Sequence, residues 1–192
     1  MNQNDKNNLK ASNTVFNALK SSDVDFIVSV PCANLKNLII LIENEIENNL
    51  NQNSPDIDFE AQKNKLIHIP VTREEEGIGI CAGAHLAGRK TALLMQNSGL
   101  GNSINAIGSL LKVYKIPLVM IISHRGDLKE KISAQIPMGQ WTKKLLEVAE
   151  IPYYCPKTPE EAEKIIKYAT DMSETMRYPV AILLDAIYWE ND

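Results

Sequence analysis

The chain has 192 residues, 44% of them hydrophobic and 23% charged, with a formal net charge of −4. That length suits one domain, and that composition excludes a disordered or fibrous chain. The acidic balance argues against sequence-independent binding of nucleic acid, and no apolar run approaches the ~20 residues with which a helix crosses a bilayer.

The first residues, MNQNDKNNLK, are polar and lack the apolar stretch of a signal peptide. Together with three widely spaced cysteines, Cys32, Cys81 and Cys155, they lead to the expectation of a cytoplasmic protein without disulfides. His68, His85 and His124 are too scattered for a zinc signature, and no metal ligands are expected on this chain.

Residues 9–22 read as an amphipathic helix, with Leu9, Val15, Phe16 and Leu19 on one side. A strand over 25–30 stops at Pro31, and a second helix covers 35–47. Residues 48–58 are polar, rich in Asn and broken by Pro55. They read as an exposed loop inside a single domain spanning 1–192, because the residues before them are too few to bury a core of their own. The spacing then predicts a strand over 66–69, a helix over 74–86, a strand over 91–96, a glycine turn, and a helix over 103–112. A strand over 117–123 is the most apolar run of the chain. A long loop over 124–139 precedes a helix over 141–149, a strand over 151–154, a helix over 159–176 and a closing strand over 180–184. Near-continuous apolar strands alternating with helices indicate an α/β domain of three layers, αβα, around a mostly parallel sheet.

Sites in open sheets of this kind form beyond the carboxyl ends of the strands. Four segments leave those ends with unusual residues: Pro31-Cys32-Ala33-Asn34, Thr72-Arg73-Glu74, Asn97-Ser98-Gly99-Leu100-Gly101-Asn102 and Ser123-His124-Arg125-Gly126. The third reads as a strand–glycine turn–helix element, where a ligand can approach the backbone and meet unpaired N–H groups. It is not a dinucleotide fingerprint, because Ile104 stands where a third glycine belongs, and no Gly-Lys-Ser/Thr follows as in a Walker loop. A plain turn is the competing reading.

Arg73 to Glu76 opens a helix with three carboxylates, an arrangement the macrodipole alone would favour. The helix behind them is small-sided, with Gly77, Gly79, Cys81, Ala82, Gly83, Ala84 and Ala87, and each glycine costs ~1 kcal/mol against alanine. A subunit contact or a flat ligand lying against it would account for that cost. Arg125 offers a planar fork for a carboxylate, sulfonate or phosphonate, with a surface arginine as the plain alternative. His124 could equally be a loop residue, Cys32 has no recognisable base beside it, and His85 reads as a packing residue.

Taken together, Pro31-Cys32, Glu74 through Gly83, Gln96 through Asn102 with Asn105, and Ser123 through Gly126 resemble the pyrimidine-binding (PYR) domain of thiamine diphosphate-dependent decarboxylases. The resemblance covers nearly the whole chain. Within that family it points to the enzymes acting on sulfopyruvate, with those acting on phosphonopyruvate next. It implies the thiamine diphosphate-binding fold of PYR type. It also implies that Glu74, nine residues before Gly83, activates the cofactor, with Glu75 and Glu76 as competing choices. Asn97, Ser98, Gly99, Leu100 and Gly101 would line the pyrimidine, and His124, Arg125 and Asn102 would meet the anionic groups of a small 2-oxo acid.

The Gly-Asp-Gly metal motif of full-length members is absent; Gly126-Asp127 continues into Leu128. The resemblance therefore implies a hetero-oligomer in which a β subunit carries the diphosphate-binding domain and most Mg2+ ligands, with no nucleic acid or membrane partner. The expected reaction is that of a carboxy-lyase, turning 3-sulfopyruvate into sulfoacetaldehyde and CO2 in coenzyme M biosynthesis. The alternatives are a phosphonopyruvate decarboxylase subunit, or a non-catalytic ligand-binding or regulatory module of the same fold.

Overall fold

Near-continuous apolar strands dictate a sheet covered on both faces, and the computed structural model, which describes residues 3–51 and 65–190, has that form. Six strands lie parallel in the order β2-β1-β3-β4-β6-β5: β1 (Phe26–Ser29), β2 (Ile67–Pro70), β3 (Thr91–Gln96), β4 (Leu118–Ser123), β5 (Tyr153–Tyr154) and β6 (Pro179–Leu184). The helices are α1 (Gln3–Ser21), α2 (Lys36–Asn51), α3 (Glu74–Leu86), α4 (Asn97–Ala106), α5 (Ile136–Val148), α6 (Pro159–Met176) and α7 (Ala186–Glu190).

Strand alternation divides the core in two. Ile27, Leu94, Ile121 and Ile182 face α1, α2, α6 and α7. Val28, Leu93, Met120 and Leu183 face α3, α4 and α5. Local signals end the helices where expected: Thr158 caps α6 by accepting a hydrogen bond from Glu161 N, and Arg177 terminates it in the left-handed region at φ 52°.

Four expectations change. Helix α2 runs through Asn51 where a loop over 48–58 was expected, since an Asn costs a helix under ~1 kcal/mol and does not stop one already formed; residues 52–58 lie outside the described residues. The glycine turn after β3 is absent: extended Gln96 (φ −82°, ψ 156°) passes directly into α4, so Gly99 and Gly101 sit in the first helical turns. That helix continues as a π-helical stretch, Ile107–Lys112, a form that carries no sequence signature. The expected loop over 124–139 ends early in a short 3-10 turn (Ser133–Gln135) and α5, with Pro137 in the first turn, where its missing N–H costs nothing.

Helix α7 follows β6 without having been expected. Asp185 Oδ1 accepts from Tyr188 N, while Tyr188 Oη donates to Ala11 O and Trp189 Nε1 to Leu184 O. These contacts seat two aromatic rings, not an amphipathic period.

Candidate functional site

Strand β1 pairs with β2 on one side and β3 on the other, so the connection from β1 to β2 runs one way and that from β2 to β3 runs back past β1. The crevice at the carboxyl ends of β1 and β3 is therefore a topological switch point. The chain turns from β1 into Pro31–Asn34 there, from β2 into Glu74, from β3 into Asn97 and from β4 into His124.

Glu74 is the first residue of α3 and only 9% exposed. Its side chain lies across Gly99 of α4: a Cβ added to Gly99 would sit 2.2 Å from Glu74 Cγ and 2.5 Å from Oε1. The glycine at 99 thus serves a close approach between two helices rather than a turn. Asn102, one helical turn further, donates from Nδ2 to Glu74 Oε2 at 3.3 Å. The neighbouring carboxylates reach other partners, Glu75 through Oε1 alone, its Oε2 being buried without a hydrogen bond among the described residues. Glu75 accepts from Arg73 Nε at 2.6 Å, and its own backbone N–H together with Arg73 lowers its pKa. Glu76 is exposed and accepts from Thr72 Oγ1. Of the three, Glu74 is the one brought against the glycine segment.

Asn97 is fully buried and its amide is spent within the chain. Nδ2 donates to Arg125 O (3.0 Å) and Thr142 Oγ1 (2.9 Å), while Oδ1 accepts from Arg125 N (3.0 Å). It ties α4 to the loop after β4 and to α5. Leu100 points into the core, Ser98 and Gly101 are exposed, and Gly101 faces Met138 of α5. Gln96, which the sequence reading left without a role, joins three segments. Its Nε2 donates to Ser98 Oγ and to Gln135 Oε1, and its Oε1 accepts from the Cys32 thiol at 3.6 Å.

His124 is buried, with Nε2 donating to Gly139 O at 3.1 Å and Nδ1 3.7 Å from the Asp127 carboxylate. The Arg125 fork is occupied: Nε and Nη2 donate to Glu130 Oε2 (2.7 Å) and Oε1 (2.9 Å). Glu130 also accepts from the backbone N–H groups of Gly126, Lys131 and Ile132. Arg125, followed by these N–H donors, pulls the Glu130 carboxyl down to about 2. Glu130 was missed because a loop offers no periodicity to place a partner five residues away. Gly126, at φ +81°, lets the same loop close on α5: a Cβ there would meet Gln135 O at 2.1 Å.

Arg125, Glu130, Asn34, Lys36 and Lys131 line a cleft of about 630 Å³ beside the switch point. On α3, nothing lies within 4 Å of a Cβ at Gly79 or Gly83, and Leu86 is 76% exposed. The Gly79–Gly83 side is therefore uncovered by the described residues, while Gly77, Cys81 and Ala82 lie buried on the other side. Among them no group of three His, Cys, Asp or Glu is placed to hold a metal, and no helix is long and apolar enough to cross a membrane.

No family model matches the chain. Curated relatives do so along almost their whole length. The sulfopyruvate decarboxylase subunit alpha of Methanococcus maripaludis is 66% identical over 96% of this chain and 99% of its own. That of Methanocaldococcus jannaschii is 60% identical over 96% and 98%. A phosphonopyruvate decarboxylase of Streptomyces viridochromogenes is 38% identical over 49% of this chain and 24% of its own. Among solved structures, 2-oxoglutarate:ferredoxin oxidoreductase from Magnetococcus marinus superposes with a TM-score of 0.70 at 13% identity, over 91% of this chain and 28% of that one, a likeness of fold.

Proposed function

Because the chain belongs to the family of sulfopyruvate decarboxylase alpha subunits, we propose that it supplies the pyrimidine side of a thiamine diphosphate site that a β subunit completes. The observation that carries this reading is the shielded Glu74 carboxylate, laid over Gly99 and held by Asn102. Those residues fit the aminopyrimidine end of the cofactor, which needs one carboxylate at a ring nitrogen and bare backbone beside it. They do not fit its other end, since the chain has no Gly-Asp-Gly motif and its described residues include no metal-ligand cluster. We assign the diphosphate and Mg2+ to the β subunit.

When bound, the cofactor supplies an electron sink for the pair of electrons left behind as CO2 departs. The chain does the positioning. Glu74 would hydrogen-bond the ring nitrogen and hold a proton there. Ser98 and the Gly99–Gly101 backbone would border the ring, with Leu100 anchoring this first turn of α4 in the core. Asn97 and Gln96 fix the turn to the loops after β4 and β1. His124 and Arg125 border the substrate side; the Arg125 fork is braced by Glu130, while Lys36 and Lys131 add positive charge to the adjoining cleft for a dianionic 2-oxo acid.

The uncovered Gly79–Gly83 face of α3 offers the β subunit a close-packing surface. The substrate we assign is 3-sulfopyruvate, and the products are CO2 and sulfoacetaldehyde, a carboxy-lyase step in cytoplasmic coenzyme M biosynthesis. Near-full-length identity to sulfopyruvate enzymes, against partial identity to a phosphonopyruvate one, favours the sulfonate.

The test is to co-purify the chain with its β partner and measure CO2 release from 3-sulfopyruvate and from phosphonopyruvate, with and without thiamine diphosphate. Cofactor-dependent release from sulfopyruvate, with phosphonopyruvate the poorer substrate, is expected. Release from neither would overturn the reading.

A further inference from the structure

The family resemblance implied that Asn102 meets the substrate's anionic groups; in the structure its amide meets Glu74. Gly99 and Asn102 lie three residues apart on α4 and so share a face. That face meets Glu74 twice. Gly99 leaves room for the side chain to cross the helix, and Asn102 Nδ2 donates to Oε2 at 3.3 Å. Thr72 and Arg73, on the segment leading into α3, hydrogen-bond Glu76 and Glu75 instead.

A glutamate side chain turns about three bonds. One donor on one oxygen, with backbone beneath the other, removes much of that freedom before any ligand arrives, and such preorganisation is what a positioned catalytic group needs. We propose that Asn102 is a positioning residue for Glu74, orienting its carboxylate toward the cofactor ring, and does not bind the substrate. The inference rests on the reading of Glu74 given above.

The experiment is a double-mutant cycle in the α–β complex, with Asn102→Ala, Glu74→Ala and the double variant, read by calorimetric titration with thiamine diphosphate and by steady-state kinetics. Asn102→Asp is the control that replaces the amide donor with a negative charge, and thermal melting of each isolated chain reports folding. A hydrogen bond to a carboxylate is worth about a tenfold change in affinity. Asn102→Ala is expected to weaken cofactor binding about tenfold and to lower kcat while leaving KM for the oxo acid within about twofold. Asn102→Asp is expected to be worse, because it sets a second carboxylate against the first.

In the Glu74→Ala background the Asn102→Ala change should add less than about twofold, because nothing remains to be oriented. A KM raised about tenfold with unchanged cofactor affinity would return Asn102 to the substrate and overturn the assignment, as would additive effects in the cycle. If Glu74→Ala itself leaves cofactor affinity and turnover at wild-type levels, the role of Glu74 falls, and that of Asn102 with it. If Glu74→Ala abolishes binding or turnover and Asn102 proves uncoupled, the Asn102 assignment falls alone.

Discussion

Replacing Gly99 by alanine adds a methyl group where the Glu74 side chain lies. The new Cβ would stand 2.2 Å from Cγ, 2.4 Å from Cδ and 2.5 Å from Oε1. The nearest of these is about 1.2 Å short of ordinary van der Waals contact, so something must move by about that distance. The yielding part is the Glu74 side chain, which must turn from Cγ outward and leave its contact with Asn102, rather than the two packed helices. A displacement of ~1 Å at a catalytic group costs on the order of a hundredfold in rate. Stability is expected to change little, because alanine gains ~1 kcal/mol over glycine in a helix and the crowding gives back a similar amount. The assay pairs thermal melting with the turnover of 3-sulfopyruvate by the α–β complex. A melting temperature within a few degrees of wild type and a loss of about two orders of magnitude in kcat are expected. Wild-type turnover in Gly99→Ala would refute the reasoning, since it would mean that Glu74 need not lie where the structure places it.

Three further substitutions probe other parts of the account. Gly79→Ala and Gly83→Ala meet open space in the isolated chain, so each is expected to raise its stability by up to about 1 kcal/mol in melting experiments while weakening recovery of the β subunit in co-purification. Glu130, with its folded carboxyl held near 2 by Arg125, contributes stability that is complete above the ordinary glutamate value near 4.5 and is lost as pH falls toward 2. Glu130→Gln should therefore cost of order 1–2 kcal/mol at neutral pH and flatten the acid limb of stability against pH, read by denaturant titration between pH 2 and 6.

The sheet was legible because its strands are buried on both faces and read as apolar runs, such as LVMIIS in β4 and TALLMQ in β3. Glu74, Gly99 and Arg125 were visible as residue types at strand ends. Their relations were not, because they depend on how α3 crosses α4 and how the loop after β4 folds back. The pair Gly99 and Gly101 suggested a turn, since glycine in a sequence marks backbone freedom and close approach alike. Only the Glu74 side chain lying over Gly99 separates the two meanings. Asn97 looked like a ligand-facing amide, yet its three hydrogen bonds all go to Arg125 and Thr142, both distant in sequence. Glu130 and α7 escaped notice because one acts from an aperiodic loop and the other is five residues held by Tyr188 and Trp189.

The most direct measurement is the turnover of 3-sulfopyruvate by the thiamine diphosphate-loaded α–β complex carrying Glu74→Gln, beside the wild-type complex at equal subunit stoichiometry. Intact assembly with turnover reduced by about two orders of magnitude or more is the expected result. Wild-type turnover in an equally assembled Glu74→Gln complex would contradict it.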